Sequence, residues 1–378
     1  MTHQLFKIIK TSSTNRARLG LLRTPHGVVH TPAYVMVATR AYIKTLRPSD
    51  IRATGTQIVI ANGYHLWGQK NAHKTLGVQM PMIIDSGGFQ MFSFGAAREH
   101  GVGKVLARKK RVASEQNLVK VSEKGLTFLE SGKPKFMSPE ISIDIQRALG
   151  SDIIFALDEC TSPLHSFAHT KQAMERTHRW LKRCIARASS RQSLYGIIQG
   201  GRFRSLRKAS ARLVASQPVA GIGIGGSFGK QELGETLSSV VPELPEDKPR
   251  HLLGIGTIKD IFSAVEAGID TMDCVIPTRE ARHGKIYTLN GPIDIRKGIF
   301  AGSRANIDCA CKCSACSQKI TCGKLHALFR AKDLRAGRFA TIHNVWFFNN
   351  LLKNIRTALN GGSYASFKKK FLKRFDSN

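Results

Sequence analysis

Short apolar runs recur along the first three quarters of the chain, with helix-like or turn-like stretches between them. They fall at 33–37 (AYVMV), 58–60 (IVI), 82–84 (MII), 153–157 (IIFAL), 194–198 (LYGII), 221–224 (GIGI), 251–255 (HLLGI) and 269–275 (IDTMDCV). Runs this continuous suit strands covered on both faces, as in parallel sheets. Residues 139–150 open with Pro139 and Glu140 behind a candidate N-cap, Ser138, and place Ile143, Ile145, Ala148 and Leu149 on helical spacing. Residues 258–268 repeat Ile258, Ile261, Phe262 and Val265 and close on Gly268. Eight strand–helix units over roughly 275 residues predict an α/β fold, a closed (β/α)8 TIM barrel, with an open doubly wound sheet as the alternative.

Two segments break the repeat. Residues 95–117 are rich in Gly, Ala and basic residues, with the run Arg108-Lys109-Lys110-Arg111, and are expected to form an excursion from the barrel. Residues 301–378 hold a cysteine cluster and then a long amphipathic stretch. There Val345, Trp346, Phe348, Leu352, Ile355 and Leu359 recur at helical spacing, an apolar face for packing on the barrel wall. The expected organisation is therefore a barrel over 1–300, with a small subdomain and C-terminal helices over 301–378. The tail after Gly362 carries Lys368-Lys369-Lys370 and Lys373-Arg374. It reads either as a solvated end or as a helix that contacts phosphates.

Charge narrows the partners. Lys plus Arg number 58 against 26 Asp plus Glu, for a net charge of +32. A polyanion is the natural counter-charge, and nucleic acid is favoured over a membrane surface. The opening MTHQLFKIIKTSSTNRARLG has no apolar core of a secretory leader, and no window is long and apolar enough to span a bilayer. A cytoplasmic protein that does not enter membranes is expected.

Five of the eight cysteines, Cys309, Cys311, Cys313, Cys316 and Cys322, crowd together. Such crowding suits a metal better than a disulfide framework. Cys311, Cys313 and Cys316 with His343, at the head of the expected final helix, make a closed tetrahedral set of the kind that holds a structural Zn2+. Cys309, Cys322 and His326 are rival ligands, and a set of reduced, metal-free thiols is the plain alternative.

Chemistry in a barrel sits at the C-terminal ends of the strands. Asp85 follows the third run, Asp158 the fourth, and Asp273 lies late in the eighth. Buried carboxylates without partners are costly, so three at equivalent positions call for a function beyond packing. Gln199 ends the fifth run, and Gly225-Gly226 ends the sixth, where backbone groups can approach a flat ligand. Asp158, Gln199 and the glycine pair could read the edge of a purine-like base. One carboxylate could attack an anomeric carbon while another manages the proton, giving retaining glycosyl transfer by two displacements. Inside an RNA, the base would have to leave its stack first. Arg279 and Arg282 follow the eighth run and suit backbone phosphates.

These residues resemble the tRNA-guanine transglycosylase family, the queuine tRNA-ribosyltransferases. The matching segments are DSGGFQ (85–90), DIIFALDEC (152–160), YGIIQGG (195–201), GIGIGG (221–226), DCVIPTR (273–279), CKCSAC (311–316) and IHN (342–344), with an opening β-rich segment over 16–39. The resemblance implies a TIM barrel with a zinc subdomain, working as a homodimer on tRNA. It implies exchange of guanine at wobble position 34 of the GUN-anticodon tRNAs (Asp, Asn, His and Tyr isoacceptors) for a 7-deazaguanine base, preQ1 or queuine. Asp273 matches the nucleophile and Asp85 the general acid/base. Asp158, Gln199 and Gly226 match base-recognising groups, and Ser86, Phe89, Cys160, Gly225 and Leu253 complete the expected lining. Arg279 and Arg282 match positions that meet the tRNA backbone. Cys311, Cys313, Cys316 and His343 match the Zn2+ ligands.

Some positions depart from the family pattern. Phe89 stands where many bacterial members carry Tyr. Ser227-Phe228 replaces a Leu-Ala pair, and Gly229 matches queuine-using members, whereas Cys160 matches the bacterial form. The alternatives are a catalytically silent tRNA-binding subunit, which the presence of both Asp85 and Asp273 argues against, and an archaeosine-type transglycosylase.

Overall fold

A computed structural model describes residues 5–90, 119–130, 132–189, 191–225 and 233–376. The chain enters on three antiparallel strands, β1 (Phe6–Thr11), β2 (Arg18–Thr24) and β3 (Gly27–Thr31). Strands β4 (Ala33–Val37), β5 (Val59–Asn62) and β6 (Met82–Asp85) begin a second sheet. A separate antiparallel sheet follows, of β7 (Val119–Ser122), β8 (Gly125–Glu130) and β9 (Lys133–Met137). Then come β10 (Ile153–Phe155), β11 (Ser193–Ile198), β12 (Gly221–Ile224), β13 (Arg250–Leu252) and β14 (Thr271–Asp273). The second sheet is a closed eight-stranded barrel in the order β10-β11-β12-β13-β14-β4-β5-β6, so the open-sheet alternative falls away. All eight apolar runs supply a barrel strand. The hairpin of β15 (Lys285–Thr288) and β16 (Gly291–Asp294) follows.

The chain divides into two compact units. The first comprises Met1–Ile60, His73–Pro81 and Gly254–Asn378. Within it β14 lies parallel to β4, with Asp273 opposite Val35. Behind β14, Arg18 and Asp270 form a buried bidentate ion pair, 2.9 Å through Nε and 2.6 Å through Nη2. Full burial makes the pair strong only because each group satisfies the other. Helix Ile258–Glu266 has a capping box, Thr257 with Asp260, and ends where Gly268 adopts φ 85°. Helix Leu334–Asn360 buries Val345, Phe348, Leu352, Ile355 and Leu359 along one stripe, as the sequence predicts, whereas Trp346 is only half-buried. It starts earlier than expected, because Asp333 caps it by accepting from the Arg335 amide. His343 is consequently well inside this helix, not at its head. Nor is the helix the last, since Tyr364–Phe375 forms another.

The second unit comprises Ala61–Ala72 and Met82–Leu253. Its strands β6, β10, β11, β12 and β13 carry almost wholly buried side chains. Helix Pro139–Ala148 begins at Ser138, whose hydroxyl accepts from the Ile141 amide. From that helix the buried Gln146 clamps β10: its Oε1 accepts from the Phe155 amide and its Nε2 donates to the Phe155 carbonyl, each at 2.9 Å. No helix among the described residues is long and apolar enough to cross a membrane. The excursion expected at 95–117 lies outside the described residues.

Candidate active site and metal centre

Asp158 follows β10 by three residues and is buried. Its Oδ1 accepts from the Ser86 hydroxyl at 3.3 Å. Its Oδ2 accepts from Gln199 Nε2 at 2.6 Å and from the Cys160 thiol at 3.4 Å. No cation pairs with it among the described residues. Burial raises its pKa, and the Gln199, Cys160 and Ser86 hydrogen bonds offset only part of that. Burial, followed by the charge of Asp158, holds the Cys160 thiol well above its usual range, so it stays a neutral donor. Gln199 Oε1 is buried and has no hydrogen-bond partner among the described residues. A carboxylate together with an unsatisfied amide oxygen suits a ligand edge that presents several N–H donors.

Glycines set the depth of this cluster. A Cβ on Gly88 would stand 2.7 Å from the Asp158 carbonyl and 3.1 Å from its Oδ1. Leu253 lies against the backbones of Gly223 and Gly225. Arg207, also buried, donates through Nε to the Gly201 carbonyl at 2.8 Å and through Nη1 to the carbonyls of Ile198 and Gly225. It thereby fixes the ends of β11 and β12 on either side of Gln199. Phe89, just past the turn after β6, is 56% exposed. Gly226, Ser227, Phe228 and Gly229 lie outside the described residues.

Asp85 is the last residue of β6 and is half-buried. Its Oδ2 accepts from Asn62 Nδ2 at 2.8 Å and its Oδ1 from the Gly87 amide at 3.0 Å. These donors fix the carboxylate plane. In the first unit, Asp273 is the last residue of β14, also half-buried, and its Oδ1 accepts from the Gly254 amide at 3.0 Å. The following residue is pinned by Tyr34, whose hydroxyl donates to the Cys274 carbonyl at 2.8 Å. Arg279 and Arg282 both lie on helix Ile276–Arg282, directly after Asp273. Arg282 Nη1 donates to the Thr278 carbonyl. Burial and the neighbouring Arg279 charge lower the Arg282 pKa, a setting that an anion would relieve.

Cys311, Cys313, Cys316 and His343 bring their ligand atoms within 4.8 Å of one another. His343 Nδ1 lies 3.4 Å from Cys316 Sγ and 3.8 Å from Cys313 Sγ. Its Nε2 is 2.7 Å from the Tyr287 carbonyl, which can only accept, so Nε2 carries the hydrogen and Nδ1 presents its lone pair to the sulfurs. Three thiolates and one imidazole without an open position fit a structural Zn2+. The rivals are otherwise engaged. His326 Nδ1 meets the Ile295 carbonyl at 2.9 Å, Cys322 Sγ donates to the Asn306 carbonyl, and Cys309 is exposed.

The family model for queuine tRNA-ribosyltransferase matches residues 12–377. The chain belongs to that family. A protein of Archaeoglobus fulgidus is 39% identical over 95% of this chain and 97% of its own. The queuine tRNA-ribosyltransferase of Herpetosiphon aurantiacus is 39% identical, covering 97% of this chain and 91% of its own. That of Francisella tularensis subsp. novicida is 37% identical over 99% of this chain and all of its own.

Several side chains at the site of this queuine tRNA-ribosyltransferase family member escape a reading of the sequence. Asn62 ends β5 in an unremarked Ala-Asn-Gly. Arg207 sits in a basic helix where a solvated cation is the natural expectation. Asn344 follows a zinc ligand and is fully buried: it accepts from the Tyr287 amide and donates to the Pro277 and Lys285 carbonyls.

Proposed function

We propose that this protein is a tRNA-guanine transglycosylase. It exchanges guanine at wobble position 34 of GUN-anticodon tRNAs for a 7-deazaguanine base, preQ1 or queuine, as a homodimer in the cytoplasm. The observation that carries the reading is the uncompensated buried carboxylate of Asp158, hydrogen-bonded by Gln199, Ser86 and Cys160. Guanine and its 7-deaza analogues offer adjacent N–H and NH2 donors, which a carboxylate accepts together. Gly225, Gly226 and Leu253 would leave space for the flat ring, and Phe89 would stack on it.

In this reading Asp273 attacks ribose C1′ from the face opposite guanine. The C1′–N9 bond breaks, and its electron pair leaves with the base. Asp85 supplies the proton to the departing guanine, then takes one from N9 of the incoming base. That nitrogen displaces the Asp273 carboxylate, and two inversions restore the original configuration. The Gly254 amide orients Asp273, while Asn62 and the Gly87 amide orient Asp85. Arg279 and Arg282 would meet phosphates beside the target nucleotide. Bound Zn2+ would be held by Cys311, Cys313, Cys316 and His343 and would serve the fold, not the reaction.

The test is exchange of labelled guanine into tRNA, with denaturing electrophoresis for a covalent adduct. Exchange and adduct with the natural chain, and neither with Asp273→Asn, is the expected result. Exchange by Asp273→Asn at the natural rate would refute the assignment. Gly229 supports acceptance of the bulkier queuine at least as well as preQ1, and no detectable queuine incorporation would sink that part.

A further inference from the structure

We infer that the outward face of the terminal helix Tyr364–Phe375 is a phosphate-contacting surface that grips the tRNA body outside the anticodon arm. The identity of the polyanion rests on the base-exchange reading above.

The helix has two faces with different fates. Tyr364 is buried and its hydroxyl donates to the Phe262 carbonyl. Phe371 meets the Phe262 ring at 5.5 Å and the Phe347 ring at 6.4 Å, and Phe375 stacks on Tyr287 at 6.4 Å. The apolar face therefore packs on the barrel side, with Tyr364 buried and Phe367, Phe371, Leu372 and Phe375 half-buried, and is not an open face for a lipid surface. The other face exposes Lys369, Lys370, Lys373 and Arg374. Their spacing puts them on one stripe, with like charges four residues apart and no acid interleaved. Such pairs destabilise a helix unless a counter-charge covers them. Lys369 and Lys370 have no acidic partner among the described residues.

The placement points toward the chemistry. Lys368 pairs at 2.7 Å with Glu266, the last residue of helix Ile258–Glu266, whereas Asp376 pairs at 3.0 Å with Lys259 in its first turn. The chain runs from that helix back into the start of β14, so the first turn lies on the side where β14 ends, at Asp273. The terminal helix thus rises toward that end and spans about 18 Å. Near its top, Arg374 Nε donates to Asn290 Oδ1 at 2.7 Å, in the turn of the β15–β16 hairpin. The base of the same hairpin lines an open cleft of about 400 Å³, where Arg279, Lys285, Arg296 and Lys297 stand beside Glu280 and Asp294. Basic residues therefore outnumber acids from the helix after Asp273 to the base of the hairpin, where Asp294 holds Arg296 and Glu280 holds Lys285, and the terminal helix meets the same hairpin at its turn.

The test is a triple variant, Lys369→Gln/Lys370→Gln/Lys373→Gln, titrated with full-length tRNA and with an RNA hairpin holding only the anticodon arm. Affinity for full-length tRNA should fall about tenfold or more, and the slope of log affinity against log salt should shrink by about 2–3. Affinity for the hairpin and kcat at saturating tRNA should stay within about twofold. The matching triple Lys→Arg variant should keep full affinity, which separates charge from misfolding. Unchanged affinity for full-length tRNA, equal loss on both RNAs, or loss that Arg does not rescue would each overturn the proposal. The titration needs no turnover, so a chain that binds but exchanges no guanine would sink the base-exchange reading and leave this test standing.

Discussion

His343 donates its Nε2 hydrogen to the Tyr287 carbonyl across 2.7 Å, leaving Nδ1 toward the three cysteine sulfurs. The next residue, Asn344, accepts from the amide of the same Tyr287 at 3.0 Å. Both peptide groups of Tyr287 are thus held by consecutive residues of one helix, and metal ligation and hairpin docking become a single structural event. His343→Ala should abolish Zn2+ retention and cost about 3–5 kcal/mol or more. Asn344→Ala should keep the metal yet cost about 2–4 kcal/mol, because it orphans three buried backbone groups. Metal content by mass spectrometry and thermal unfolding of both variants check this. A zinc-free His343→Ala chain with natural stability would contradict it.

The two strand-end carboxylates should fail differently. Asp273→Asn should remove both adduct and exchange. Asp85→Asn should slow exchange by about 10²–10⁴-fold, the usual range for loss of a general acid. Asn62→Ala leaves Asp85 in place and removes one of its orienting donors. It should lower kcat about tenfold with little change in KM. Steady-state kinetics separate the three, and a pure KM effect of Asn62→Ala would show that it serves binding alone.

Asp158 is buried at a cost in stability, which a role in base recognition would explain. Its pKa is raised by burial, so the folded chain holds a proton more tightly than the unfolded one. Stability from this group is therefore greatest at low pH and declines as pH rises through the ordinary carboxylate range toward the folded value. Asp158→Asn should raise the melting temperature at pH 7 while lowering base affinity at least tenfold. Calorimetry on the ligand-free protein, with a base-competition assay, tests both halves. A less stable variant at pH 7 would show that the hydrogen bonds outweigh the burial cost.

His178 gives the opposite slope. It is buried, its Nε2 meets the Ser210 hydroxyl at 2.9 Å, and that hydroxyl accepts from the Gln199 amide at 3.1 Å. Either partner of the His178–Ser210 bond can be the donor, according to the imidazole tautomer, and burial favours the neutral ring. Burial lowers its pKa to about 4 from an ordinary 6.5. Between those values the unfolded chain binds more protons, so this contribution is full above pH 6.5 and drains away as pH falls toward 4. Melting temperature measured from pH 8 to 4 should drop across that window. His178→Gln should flatten the drop, and an unaltered profile would exclude His178 as its source.

The sequence is informative where one residue type answers one physical demand. Barrel strands covered on both faces must be apolar throughout, so every run could be located to within a few residues. Ser138 and Gly268 mark helix ends for equally direct reasons. The thiol spacing identifies the metal loop, but the position of His343 within its helix depends on the cap at Asp333, which the apolar periodicity does not reveal. Backbone partners leave no trace in residue type: the Gly254 amide that orients Asp273 and the Tyr287 carbonyl that orients His343 are positions, not identities. Arg207 misleads for a related reason. Buried cations are rare, and only the carbonyls gathered at the ends of β11 and β12 explain one there. The β7–β9 sheet is likewise absent from a reading built on continuous runs, since its strands mix charged or polar residues with apolar ones.

The strand that carries Asp273 has the strand of Ala33–Val37 as its parallel neighbour, with Met272 opposite Tyr34. A polypeptide emerging from the ribosome makes Ala33–Val37 early and the strand of Asp273 only after most of the remaining length has been translated. The early strand therefore cannot gain that neighbour until synthesis is far advanced. An unfinished chain would hold its early strand waiting, open to chaperones and to pairing with other nascent chains.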